Sequence, residues 1–242
     1  MSRLLAALLL ALPAAAVHAT QVVDDFESGT DPNNWSWLSG SPSDVIGNGV
    51  IQTEGGNPGA WFDSTAPYFA GHPNFTAVPA AGSPLRAALD SGSLHSASID
   101  MQRLDTSSVA NCHPVYDLPS TFTLQLFDLH TVGSDPPTQI EAHTTDGPAS
   151  PAGTFAWTPA SFTIPSDATD VPPGWVLNAP PELNYTWTDL MHNIDGIAFF
   201  PISPEEITFD SCWELGADNV DVSYGEADDA IFADGFDIIP AD

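Results

Sequence analysis

The sequence predicts an all-β protein, an antiparallel two-sheet β-sandwich of the jelly-roll type. Two observations predict it: short apolar runs alternate with polar residues, and turn-forming residues separate these runs. The 23 prolines and 18 glycines are spread along the 242 residues, which suits many short strands better than long helices. Hydrophobic residues make up 43% of the chain, enough for one large all-β domain with its own core.

The two ends of the predicted domain carry strand patterns that we expect to be neighbours. Residues 22–29, VVDDFESG, contain the opening strand, and residues 217–224, ADNVDVSY, form the closing strand. The sandwich domain is therefore predicted to span residues 20–225. The composition changes after Tyr224, so residues 226–242 are predicted to be a separate acidic tail.

Between these ends the alternation is clearest in residues 96–104 and 121–130. Phe127 interrupts the second run, which indicates either a bulge or a strand covered on both faces. The other predicted elements are strands at residues 35–38, 49–52, 60–62, 139–144, 155–157, 161–164 and 194–200, long loops at 64–84 and 165–184, and one helical turn at 188–193.

Residues 1–19 are predicted to be a secretory signal peptide. A short basic start precedes the apolar run at residues 4–17, and small residues then favour cleavage after Ala19. The run is shorter than the roughly 20 residues that a membrane-spanning helix needs, so we expect a soluble exported protein, secreted or periplasmic, with no membrane insertion. In such an oxidising compartment Cys112 and Cys212 usually form a disulfide, and the alternative is two buried thiols too far apart to bond.

The charge balance excludes several classes of partner. The chain has 3 Lys and Arg residues against 32 Asp and Glu residues, and Arg86 and Arg103 are the only ones of the first kind after the leader. Nucleic acids and anionic membranes are bound through such cations, so neither is an expected partner, and acidic polysaccharides are poor candidates. Neutral glycans, divalent cations and cationic surfaces remain. The plain alternative is that the acidic excess serves solubility or suits a salty habitat.

Several motifs follow one another in a characteristic order. They are DDFESG at residues 24–29, a following Trp, GGNPG at 55–59, PGW at 173–175, IDGI at 194–197 and DNV at 218–220. This order resembles exported bacterial jelly-roll domains of the laminin-G-like and carbohydrate-binding-module type over about residues 22–224. The resemblance implies a structural Ca²⁺ between the opening and closing strands. Glu27 and Asp218 match the typical ligands, and Asp25 is added as a further candidate. Ca²⁺ takes about six to eight oxygens, which carboxylates and backbone carbonyls at the end of a sandwich can supply. The alternative is that these residues are solvated acids at strand ends.

Neutral sugars bind by laying their apolar faces on Trp or Tyr rings, while a few polar groups fix their orientation. The candidates on or near predicted loops are Trp61, Tyr68, Trp175, Tyr185 and Trp187. The alternative is that these rings fill the core or hold the loops in place.

The leading functional hypothesis is a non-catalytic exported module that binds a neutral glycan or a cell-surface component. One alternative is a structural or adhesive envelope-associated protein without a small ligand, and another is a glycoside-active enzyme. No catalytic residue is predicted. No spacing marks a pair of catalytic carboxylates, the histidines lack zinc-ligand spacing, and no G-x-S-x-G motif is present.

Overall fold

The computed structural model describes residues 19–38, 49–64, 68–70, 72–106, 120–130, 138–203 and 211–225. The predicted acidic tail and all of the predicted signal peptide except Ala19 lie outside the described residues, as does Cys112. The strands are β1 Thr20–Asp24, β2 Trp35–Leu38, β3 Val50–Gly56, β4 Gly59–Asp63, β5 Tyr68–Ala70, β6 Asn74–Ala77, β7 Leu94–Arg103, β8 Ser120–Thr121, β9 Thr123–His130, β10 Thr138–Thr144, β11 Ala149–Ser150, β12 Phe155–Thr163, β13 Trp175–Asn178, β14 Gly196–Phe200, β15 Ser211–Trp213 and β16 Leu215–Tyr224. The helices are α1 Pro84–Asp90 and α2 Trp187–His192, with a short 3₁₀ turn at Pro181–Leu183.

The strands form two large antiparallel sheets, which confirms the predicted fold class. The first sheet has the order β12-β7-β16-β4-β3, with β1 also paired to β16. The second sheet has the order β13-β10-β9-β14-β6-β2. Strands β12 and β13 are therefore edge strands of different sheets. We call the side of the sandwich that lies between them the flank.

The first and last strands of the domain are neighbours, as the sequence predicts. Strand β1 runs antiparallel to β16, with Val22 opposite Val222 and Asp24 opposite Val220. The register of β16 against β7 shifts between Asp218 and Asp221, where Asn219 has a φ of 49°. Asp218, the first residue of the DNV motif, still pairs with Asp100, and the irregularity follows it within the motif.

The core between the sheets is rich in aromatic rings. Phe75 on β6 is fully buried and contacts Phe26, Trp35, Trp37 and Phe62, with ring centroids 4.8 to 6.4 Å apart. The ring of Trp35 is stacked on it at an interplanar angle of 6°. Aromatic contacts of this kind add to the stabilisation that burial of the rings already supplies.

A buried carboxylate connects the opening strand to its surroundings. Asp24 is 6% exposed and accepts hydrogen bonds from the Trp35 indole N–H and the Asn33 amide, both at 2.7 Å. The Asn33 side-chain oxygen in turn accepts from the backbone N–H of Leu85 at 2.9 Å. One carboxylate thereby ties β1 to β2 and, through Asn33, to the start of α1.

The two long loops predicted from the sequence are wrong in part. Residues 64–84 contain β6, whose four residues are all buried and therefore show no alternation. Helix α1 follows, and its start signals are local: Ser83 caps the Arg86 backbone N–H, and Pro84 occupies the first helical position. The second predicted loop contains β13, a short edge strand that begins at Trp175.

Two finer predictions are confirmed. Helix α2 lies where the single helical turn was expected, and Thr186 and Asp189 form a reciprocal capping box at its start. Phe127 interrupts the alternation because β9 is covered on both faces. Its ring is 0% exposed in a separate cluster with Ala198 and Phe200, while Leu126 faces the main core. The pairing of β9 with β10 and with β14 runs on without a shift, so there is no bulge at this point.

Candidate functional site

Two of the predicted sugar-stacking residues, Trp175 and Trp187, contact each other at one flank of the sandwich. Their ring centroids are 5.1 Å apart and the rings are inclined by 65°. Trp187 is only 1% exposed, and its indole N–H donates to the carbonyl oxygen of Pro165 at 3.0 Å. A ring buried to that extent cannot stack on a ligand, so Trp187 supports Trp175, which keeps 8% of its surface exposed.

An open cavity of about 570 Å³ lies between the edge strands β12 and β13, and Trp175 forms part of its wall. We call it the Trp175 cleft. Its volume is within the range of roughly 300–1,000 Å³ that is usual for small-molecule sites. Phe162 is a second aromatic residue of the lining, and the exposed residues Ser161, Thr163 and Asp146 supply polar groups.

The backbone beside Trp175 holds the mouth of the cleft in one arrangement. Gly174 has a φ of +81°, and a Cβ atom there would stand 2.4 Å from Oδ1 of Asp146. The carbonyl of Gly174 accepts from the Thr145 N–H at 2.9 Å, and the Trp175 N–H donates to Pro172 at 3.1 Å. Only glycine fits this position without strain. The absence of a side chain at Gly174 lets the Asp146 carboxylate lie close to the backbone next to Trp175.

Tyr185 lies close to α2, but its hydroxyl is already engaged. The O–H donates to Asp128 Oδ2 at 2.6 Å, and its ring meets that of His130 edge to face. Burial, followed by the hydrogen bond to Asp128, raises the pKa of Tyr185 well above its usual value. Burial likewise raises the pKa of Asp128. The pair is suited to holding α2 against β9, and only the partly exposed ring of Tyr185 is left for a ligand.

Trp61 lies on the outer face of the first sheet, away from the Trp175 cleft. It is 8% exposed, its indole N–H donates to Glu54 at 2.9 Å, and its ring covers Gly216, where a Cβ would come within 2.7 Å of it. Trp157, which sequence reasoning missed, meets it edge to face at 5.8 Å and is only half-buried. Tyr68 lies in β5 with its backbone opposite Trp213. The candidates are therefore spread over several regions, and among those whose side chains the structure describes, Trp175 lines a described cavity.

The predicted metal ligands Glu27 and Asp218 meet at the β3–β4 turn. Oε1 of Glu27 accepts the Ala60 N–H at 2.9 Å, and Oδ2 of Asp218 accepts the Asn57 N–H at 2.6 Å. Asp218 is 0% exposed; burial raises its pKa to about 6, and the charges of Asp100 and Glu27 add to the rise. Three acidic groups thus surround one turn.

Oxygen ligands of this kind fit Ca²⁺ in their chemistry, since carboxylates and backbone carbonyls are the groups that it prefers. Their geometry is incomplete. Among the residues that the structure describes, no three His, Cys, Asp or Glu side chains stand close enough together to hold a metal ion. Asp25 is exposed, and its carboxylate forms a different contact: it accepts the Glu27 backbone N–H at 3.1 Å.

The raised pKa of Asp218 resembles that of a general acid, and carboxylates lie nearby. A catalytic acid must reach its substrate, whereas Asp218 is fully buried and both its oxygens accept backbone N–H groups, those of Asn57 and Asn219. The cluster is therefore arranged to hold the β3–β4 turn rather than to protonate a leaving group.

Sequence reasoning also missed a row of amide side chains on the outer face of the second sheet. Gln125, Gln139 and Asn178, on the adjacent strands β9, β10 and β13, all donate to the carboxylate of Glu141, Gln139 at 2.7 Å and Asn178 at 3.4 Å. We call these four residues the amide row. The signal was the strand alternation itself, because these residues occupy the polar positions of strands whose other side chains face the core. Amide groups held in this way can exchange hydrogen bonds with hydroxyl groups.

Both arginines of the predicted domain are used inside the fold. Arg86 forms an ion pair with Asp90 at 2.8 Å and donates to the backbone of Ile194 and Asp195. Arg103 is 6% exposed and lies over the Trp213 ring, 4.1 Å from its centroid. Neither side chain lines the Trp175 cleft.

No protein-family model matches the chain. No curated protein matches it either. Solved structures that resemble it include a family 11 carbohydrate-binding module from Clostridium thermocellum in complex with a β-1,3-1,4-mixed-linked tetrasaccharide. That module shares 15% identity over 86% of this chain and 96% of its own, with a TM-score of 0.46. Another is the family 11 carbohydrate-binding module of the cellulosomal cellulase Lic26A-Cel5E of Clostridium thermocellum, at 15% identity over 87% and 97%, with a TM-score of 0.47. These are similarities of fold, and they assign neither a ligand nor a site to this chain.

Neither helix of the described ranges is long and apolar enough to cross a lipid bilayer.

Proposed function

We propose that this protein is an exported, non-catalytic glycan-binding module, and that its Trp175 cleft takes an uncharged sugar of a free or cell-surface glycan. The observation that carries the proposal is the open cavity of about 570 Å³, whose lining combines the largely buried rings of Trp175 and Phe162 with exposed hydroxyl and carboxylate groups. Sugars need this combination, because they present apolar C–H faces and hydroxyl groups to the same site.

The charges of the chain support an uncharged ligand. The residues that line the cleft include Asp146 but no Lys or Arg, and both arginines of the domain are engaged in the fold. A uronate or a sulfated sugar would meet a carboxylate without a compensating cation, which disfavours binding. A neutral sugar meets only hydrogen-bonding groups and ring surface.

A glycan array followed by titration calorimetry on the best neutral glycan tests the proposal. Ser161→Tyr adds a ring at the cleft without replacing a buried residue, and it should abolish binding. Ala156→Tyr is the matched control, because Ala156 is exposed on the same strand and does not line the cleft. Asn178→Tyr covers the amide row instead.

The possible outcomes separate the hypotheses. Loss of binding in Ser161→Tyr alone supports the cleft, and loss in Asn178→Tyr alone would move the binding surface to the amide row. A blank array together with self-association would favour a structural or adhesive protein. Release of reducing sugar by the wild-type protein would favour a glycoside-active enzyme.

We also propose a structural Ca²⁺ held by Glu27 and Asp218, with Asp25 as a further candidate ligand. The fully buried Asp218 carboxylate and its acidic neighbours support it, since a divalent cation would offset their mutual repulsion. Chelation with EDTA should lower the melting temperature by several degrees, and added Ca²⁺ should restore it. An unchanged melting temperature would remove the metal from the proposal.

Export, with cleavage near Ala19, and the Cys112–Cys212 disulfide complete the proposal. Mass spectrometry of the protein from its native host, before and after reduction, tests both. A mature N-terminus at Thr20 and a mass increase of two hydrogens on reduction are expected. An uncleaved chain or two free thiols would contradict the corresponding part.

A further inference from the structure

A second cavity, of about 660 Å³, adjoins the Trp175 cleft and shares wall residues with it. Thr163 and Pro165 line both cavities. The second is further bounded by His95, Asp167 and Gly225, and we call it the His95 cavity. The two cavities therefore lie side by side along the end of β12 and the segment that follows it.

The segment whose residues line both cavities is fixed from several sides. The Pro165 carbonyl accepts the Trp187 indole N–H at 3.0 Å and the Ala168 backbone N–H at 3.1 Å. The backbone N–H of Ile164 donates to His95 at 2.8 Å, which ties the same segment to β7. Trp187 also packs against Trp175, so one buried indole positions both the aromatic wall of the first cavity and the shared wall. A groove fixed in this way needs little reorganisation to accept a rigid ligand.

The far end of the groove offers hydrogen-bond acceptors. His95 Nε2 contacts the Gly225 carbonyl, and because a carbonyl oxygen only accepts, Nε2 is the donor of this contact. The carboxylate of Asp167 is exposed. No Lys or Arg is among the residues lining either cavity. Hydroxyl groups, which donate, fit these acceptors, whereas anionic sugars do not.

We infer that the Trp175 cleft and the His95 cavity form one groove, which binds a linear uncharged oligosaccharide, with one sugar beside Trp175 and the next ones beside His95. This inference rests on the proposed function and adds the length of the ligand to it.

A length series tests the inference. We would titrate the protein with β-1,4-linked gluco-, manno- and xylo-oligosaccharides, from the disaccharide to the hexasaccharide. Within the series that binds, affinity should rise by roughly tenfold or more until the groove is filled and then level off. Asp167→Tyr fills only the His95 cavity, and Thr163→Tyr obstructs the shared wall. Asp167→Asn controls for the loss of charge, and Ala156→Tyr controls for an added surface ring.

The variants have distinct expected results. Asp167→Tyr should lose the gain in affinity that oligosaccharides longer than the disaccharide bring, while Thr163→Tyr should weaken binding at every length. Ala156→Tyr should behave like the wild type, and Asp167→Asn, which keeps one acceptor oxygen, should lose less of the gain than Asp167→Tyr. Equal affinity for short and long oligosaccharides, or no effect of Asp167→Tyr on the long ones, would overturn the groove and leave the proposed function standing. Failure of every neutral oligosaccharide to bind the wild type would instead contradict the proposed function itself.

Discussion

Replacement of Asp24 is expected to destabilise the protein strongly, although no ligand contacts this residue in the proposed function. Its Oδ2 atom alone accepts the Trp35 indole N–H and the Asn33 amide, both at 2.7 Å. Trp35 is 4% exposed and Asn33 is 0% exposed, so water cannot take the place of the carboxylate. Asp24→Ala therefore leaves two buried donors without an acceptor.

The expected magnitude follows from those two bonds. A buried donor that loses its partner costs about 1–3 kcal/mol, so Asp24→Ala should lower the free energy of unfolding by about 2–6 kcal/mol. Asp24→Asn keeps one side-chain oxygen at this position and can retain both bonds without the charge. Bonds to charged groups are worth about 1 kcal/mol more than neutral ones, so Asp24→Asn should cost about 1–2 kcal/mol.

Urea denaturation followed by tryptophan fluorescence measures these differences. The slope of the free energy of unfolding against urea concentration should stay the same, because the surface exposed on unfolding does not change. Asp170→Ala is the control, since Asp170 is exposed in a loop and a change there should stay within about 0.5 kcal/mol. A loss for Asp24→Ala no larger than that of the control would refute the reasoning, and so would a loss for Asp24→Asn that equals the loss for Asp24→Ala.

Two further predictions concern the flank and α2. Gly174→Ala should lower the free energy of unfolding by roughly 2 kcal/mol, because its φ of +81° is unfavourable for alanine and the new methyl group would press on Asp146; an unchanged urea midpoint would contradict this. Burial raises the pKa of Asp128, so over the pH range between the unfolded and folded pKa the folded state keeps a proton that the unfolded state has released. The stabilisation is therefore complete below the unfolded pKa and is lost as pH rises through the folded pKa. Asp128→Asn should therefore show a smaller fall in stability from acid to neutral pH than the wild type; parallel pH profiles would refute it.

The fold class could be predicted because the main strands show their alternating pattern within a few consecutive residues. Residues 96–104 and 121–130 alternate with a period of two, and that period alone places one set of side chains in the core. The motifs at the two ends of the domain predicted the pairing of β1 with β16. By contrast, β6 is buried on both faces, so it has no period to detect.

The candidate aromatic residues could be predicted only as a set, because burial of a loop residue depends on partners that are distant in sequence. Trp187 is almost fully buried with its indole N–H on the Pro165 carbonyl, and Trp61 packs over Gly216 on the outer face of the first sheet. Nothing in the sequence near either tryptophan distinguishes it from Trp175. The difference lies in the flank, where Trp175 faces a space that no strand fills.

That space follows from the topology. Strand β12 belongs to the first sheet and β13 to the second, and each has a neighbour on one side only. Edge strands of two different sheets cannot complete each other's ladders across the core, so the gap between them must be closed by side chains or left open. Large side chains would close it, but Ser161 and Thr163 are small and Gly174 has no side chain at all. The same small residues that fail to cover the edge of β12 give the Trp175 cleft its volume. A covering side chain at Ser161 or Thr163 should therefore remove the binding site while leaving the core unchanged.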